Sequence, residues 1–118
     1  MNITAIGGTV IGNRRPFTQI SGTTATSGDQ TLITAPGAGK RIVAKELVVQ
    51  NASADATTVL LKNGSTESWR AVLEQYAAIS LSFATGEEWR LTANSALVLN
   101  LSAANTHGYS VRYEIEST

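Results

Sequence analysis

The run "SALVLNLSAANTHGYSVRYEIE" near the end of the chain limits the possible folds more than any other segment. Leu97, Leu99 and Leu101 share one parity, and Tyr109, Val111, Tyr113 and Ile115 form a second such series, while Ser110, Arg112, Glu114 and Glu116 alternate against it. A period of two places one set of side chains on each face of an extended strand, whereas a helix would scatter both sets around its axis. Two half-buried strands separated by a polar break follow, and each needs a second layer on which to bury its apolar face.

With 118 residues the chain has room for one core. It contains no cysteine, so neither a disulfide nor a thiolate metal site is available to hold it. Nine basic and nine acidic residues cancel, which gives no general attraction to a phosphate backbone or an anionic membrane. No run of eighteen apolar residues occurs, and the N-terminus lacks a basic stretch followed by an apolar one. These features predict a soluble protein made in a cytoplasm, with no nucleic-acid and no membrane partner.

Residues 1–20 lack a sustained period. Ile3, Ile6, Val10 and Ile11 are scattered among glycines ahead of Arg14, Arg15 and Pro16. This composition reads either as a frayed terminus or as an arm that becomes ordered only against a partner, and the arm is favoured because apolar residues in a merely solvated tail favour aggregation. From Thr18 onward strand and turn signals recur at the spacing of a β-sandwich or barrel. "TQISGTTATS" reads as an edge strand or an extended lead-in, and "QTLITA" as a short strand stopped by Pro36 and Gly37. In "KRIVAKELVVQN" Ile42 and Leu47 have opposite parity, which requires a bulge near Ala44 to Glu46 or burial on both faces. "ATTVLLK" leads into Asn63 and Gly64, a hairpin signal that predicts a new strand near Thr66. The next segment supports two readings, because Trp69, Val72, Leu73 and Tyr76 also carry helical spacing. The hairpin favours the strand. "AISLSFAT" alternates with Ile79, Leu81 and Phe83 inward.

Reactive motifs are weak by comparison. "APGAGKR" has Thr34 where a phosphate-binding loop needs its first glycine and Arg41 where it needs a hydroxyl, so it reads as a turn before a strand. His107 is the only histidine and falls in "ANTHGY", a turn between strands, with no second ligand type in a metal-binding pattern, and Asp29 and Asp55 fall in loop-like stretches. Glu87 and Glu88 are adjacent, so they diverge and do not flank one bond; a solvated turn is the simpler reading. No cofactor, metal site or catalytic group is expected. Trp69, Tyr76 and Trp89 are candidates for the core edge, a subunit interface or a platform for stacking sugar rings.

The segments "GKRI", "TTVLLKNGS", "ALVLNLSAA" and "YSVRYE", with a glycine and Trp89 before the third, resemble a family of small tailed-bacteriophage virion proteins over about residues 32–116. The resemblance implies an all-β, jelly-roll-like antiparallel sandwich of about eight strands, commonly trimeric. It also implies a role as a head decoration (cement) protein or as a module of a fibre or tail tip. The resulting expectation is a virion protein on the capsid surface, made in the cytoplasm of a host bacterium and partnered by the major capsid protein. In this reading residues 1–20 form the arm and 21–118 the sandwich. The alternative is a carbohydrate- or receptor-binding module.

Overall fold

In a computed structural model, residues 17–118 are described, and every regular element among them is a strand. The proposed arm residues Ile3, Ile6, Val10, Ile11, Arg14 and Arg15 lie outside the described residues. Nine strands occur: β1 (Thr18–Thr24), β2 (Gly28–Ile33), β3 (Lys40–Asn51), β4 (Thr57–Asn63), β5 (Thr66–Leu73), β6 (Ala78–Ser82), β7 (Trp89–Arg90), β8 (Leu97–Leu101) and β9 (His107–Ser117). One sheet has the order β1-β9-β3-β6, with the short β7 also on β3, and the other the order β2-β8-β4-β5. All pairings are antiparallel. With the two-residue β7 set aside, this is the jelly roll of two interleaved Greek keys.

The alternation that opens the sequence argument forms the seam between the layers. Leu97, Leu99 and Leu101 of β8 and Val111 of β9 are at most 1% exposed, and they meet Ile42, Leu47, Val49, Val59 and Leu61. The parity conflict in β3 is resolved by a bulge at Lys45, where the register to β9 jumps between Ala44 and Glu46. That extra residue lets Ile42 and Leu47 face the same core. Residues 66–73 form a strand, so Trp69, Ala71 and Leu73 turn toward the seam and Arg70 and Val72 away from it. The helical spacing in this stretch is incidental.

Several local readings change. The β4–β5 turn has Gly64 and Ser65 at its centre, with positive φ at Gly64 (62°) and not at Ser65, the type II′ pattern. Asn63 is therefore the last residue of β4 and not a turn residue. Asp29 belongs to β2, and His107 opens β9. Glu88 is not solvated: its side chain retains 6% of its exposure. Ile115 faces inward opposite Ile42 yet is 44% exposed. The cause is the start of β1 at Thr18 opposite Tyr113, which leaves Ile115 without a described neighbour on that side.

The loops gather at two ends. At one, the Gly37 amide donates to Asn94 Oδ1 (2.9 Å) and the Gly64 amide to the Ala96 carbonyl (2.8 Å). At the other, the fully buried Asn51 donates to the carbonyls of Asp55, Leu73 and Glu74 and accepts from the amide and hydroxyl of Ser53.

Candidate functional site

Among the described residues, the clustered charged side chains pair with one another across strands. On the outer face of the β9-β3-β7 region the antiparallel register sets acids against bases. Arg41 meets Glu116 (Nη2 to Oε2, 2.6 Å), Arg90 bridges Glu116 (3.5 Å) and Glu88 (3.4 Å), and Lys45 bridges Glu88 (3.6 Å) and Glu114 (3.5 Å). The aliphatic stems of such side chains cover apolar surface beneath their charges. This accounts for the complete burial of Val43, which pairs with Glu114 and Arg90 outside the main core cluster. The Glu88 carboxylate is held below its ordinary pKa, first by its own backbone N–H, then by that of Gly86, with Lys45 and Arg90 adding to the effect. Farther along this face Arg112 pairs with Glu46 (3.4 Å) and lies 4.4 Å from the Phe17 ring centroid.

The opposite face carries a smaller constellation. Lys62 Nζ donates to both Asp29 oxygens (3.0 and 2.9 Å), and Asn100 Nδ2 donates to Oδ1 (2.6 Å). The Asn100 amide, then Lys62, lowers the Asp29 pKa. An ionised acceptor beside an ammonium is a poor general acid and leaves the lysine without a nucleophilic lone pair. The three groups form a cross-strand clamp over β2, β8 and β4.

His107 is fully buried, with Nδ1 donating to the Asn105 carbonyl (2.7 Å). Nε2 is enclosed and has no hydrogen-bond partner among the described residues. No group of three potential metal ligands occurs among the described residues. "APGAGKR" leads into β3 through a turn closed from the Lys40 amide to the Gly37 carbonyl, and no helix follows it as a phosphate loop would require.

Of the three candidate aromatics, two come together. Trp69 on β5 and Trp89 on β7 are 6.3 Å apart at 86°, edge to face, with Phe83 6.1 Å from Trp69. They close the side of the sandwich where the β5 edge of one sheet faces the β6 and β7 edge of the other. Trp89 packs against the core and Trp69 is 37% exposed. Tyr76 lies apart, in the β5–β6 turn with φ 57°, its amide bonded to the Ser53 carbonyl. The sequence reading missed a shallow groove lined by Phe17, Thr18, Glu114 and Ile115. It forms because β9 outruns β1, a length mismatch that only the pairing reveals.

No family model matches the chain, and no curated protein matches it. Among solved structures it is similar to the cryo-EM structure of a virus-like particle of the giant freshwater prawn (Macrobrachium rosenbergii) extra small virus. That likeness is 14% identical, covers 95% of this chain and 86% of that one, and has a TM-score of 0.46. The fold assignment stands on the strand order of the chain itself.

Proposed function

We propose that the chain is a non-enzymatic structural protein of a virus particle: a decoration protein that binds the outer surface of a tailed-phage head and reinforces the junctions between capsomers. The observation that carries this reading is the strand order β1-β9-β3-β6 over β2-β8-β4-β5, the architecture implied by the phage-like sequence pattern over residues 32–116. The fates of His107, Glu88 and Asp29 add support, since each is committed to a contact that holds the sandwich together.

In this function the major capsid protein is the partner and the N-terminal arm makes the contact. Ile3, Ile6, Val10 and Ile11 would each contribute on the order of 1 kcal/mol if half buried. Arg14 and Arg15 would pair with shell carboxylates. Weak contacts repeated over a lattice sum through avidity when copies are linked. The test is retention on purified heads stripped of the protein. The full chain is expected to bind and a deletion of residues 2–15 to be lost on washing. Undiminished retention of the deletion removes the arm's role, and failure of the full chain to bind removes the function.

The exposure of Trp69 supports a second reading, a carbohydrate- or receptor-binding module of a fibre or tail tip. Glycan binding abolished by Trp69→Ala in a folded protein would favour this reading over decoration.

A further inference from the structure

The two sheets have four outer edges, and three of them are blunted against pairing with another chain. β2 carries Asp29 and a register shift between Thr31 and Ile33. β5 carries Glu67 and Arg70, which pair with each other, and Ser68 is bulged out where the register to β4 jumps. β6 has only five residues, and its edge of β3 is then shared with the loop 83–88 and β7. Charges, bulges and short strands are the devices by which natural sheets prevent edge-to-edge association.

β1 has none of them. Its seven residues, Thr18 to Thr24, pair with β9 in unbroken register from Tyr113 to His107. It contains no charged residue and no proline, and among the described residues nothing pairs with its other side. Gly22, the residue that would most weaken the strand, lies against the ring of Tyr109: a Cβ there would come within 2.8 Å of the tyrosine hydroxyl. The aromatic ring takes the place of the missing side chain, and the register to β9 runs unbroken past the glycine. The result is a row of backbone donors and acceptors addressed to another extended chain.

We propose that this edge pairs with a second copy of the chain, the two β1 strands running antiparallel across a twofold axis near Ser21. The occupant follows from the edge inventory. A head-to-tail contact needs a second open edge, and the other three are blunted, whereas an antiparallel strand meets its own copy with identical groups on both sides. With no charge along β1, self-pairing brings no like charges together. Ile20, half-buried at the margin of the core, would come opposite Gly22 of the partner copy and gain cover. The pairing extends one sheet of each protomer into the other and is independent of the proposed shell binding. It also departs from the trimer that the phage resemblance implies.

The experiment is the solution mass of the full chain by analytical ultracentrifugation, alone and with the double substitution Ser21→Lys and Thr23→Lys. Both positions are exposed and face away from the core, so the variant is expected to fold. Far-UV circular dichroism and a thermal melt check this, and Ser21→Glu with Thr23→Glu serves if the lysine variant does not fold. Wild type is expected at twice the chain mass and the charged variant at half of the wild-type value. Because the chain has no cysteine, Gln19→Cys, Ser21→Cys and Thr23→Cys scan the outward face for the axis. Opposed antiparallel residues lie about 4.5–5.5 Å apart, within disulfide reach, so at least one variant should form a covalent dimer under mild oxidation. A single-copy wild type, as would occur if residues 1–16 cover their own edge, overturns the proposal. So does a mass of any size that the edge charges leave unchanged, or a scan in which no cysteine cross-links.

Discussion

Asn63, the last residue of β4, grips Thr92 with both ends of its amide: Nδ2 donates to the threonine hydroxyl (2.9 Å), and Oδ1 accepts from the threonine backbone N–H (3.2 Å). The pair ties the β4–β5 hairpin to the loop that leads into β8. Asn63→Ala should lower the unfolding free energy by about 1–2 kcal/mol, the usual range for two exposed hydrogen bonds lost together. Asn63→Asp should cost less than Asn63→Ala, because it keeps the acceptor for the Thr92 amide. Urea midpoints for the two variants check the order.

Asn51 is the stronger case. Its side chain is fully buried and bonded to Ser53, Asp55, Leu73 and Glu74, so it holds the β3–β4 and β5–β6 connections against each other. Asn51→Ala leaves buried carbonyls unpaired and should cost about 2–4 kcal/mol. Asn51→Asp should be at least as damaging, since a carboxylate would face three carbonyl oxygens. Thermal unfolding of both variants beside wild type tests the ranking.

Deleting Lys45 should prevent folding. The bulge is what reconciles the facing of Ile42 with that of Leu47, and removal of one residue turns every side chain on one flank to the wrong face. Lys45→Ala keeps the bulge, and it should fold with a modest loss from the pairs to Glu88 and Glu114. Near-UV circular dichroism of the two variants separates a register effect from a charge effect.

Acid should weaken the fold through Asp29 and Glu88. Both carboxyls titrate below their ordinary values in the folded state, so the unfolded chain binds protons first as pH falls. Their stabilisation is complete above the ordinary carboxylate pKa of about 4 and is lost as pH drops through the folded values. Asp29→Asn with Glu88→Gln should flatten the decline of melting temperature between neutral and strongly acidic pH. An unchanged slope would show that other carboxylates carry the acid sensitivity.

Much of the layered fold was legible because period two in β6, β8 and β9 determines which faces are buried, and because the parity break at Ile42 and Leu47 called for a bulge near Ala44 to Glu46 or burial on both faces, the bulge lying at Lys45. The strand at 66–73 was less secure, since Trp69, Val72, Leu73 and Tyr76 satisfy helical spacing as well. Only the pairing to β4 decides between the two. The burial of Glu88 and the exposure of Ile115 were not legible. One depends on bases brought from β3 and β7, the other on where β1 begins. The same holds for the candidate site. The sequence nominated Trp69 and Trp89 separately, and their edge-to-face contact arises only when the two sheets close.

β9 lies between β1 and β3, yet among the described strands it comes last in chain order. Until β9 is in place, the sheet it completes has a slot through its middle, and the rest of the chain holds two raw edges that fit β9 but not each other. Closure of this sheet must wait for β9, so a chain that lacks residues 107–117 is left prone to clumping and is not a slightly shortened working protein.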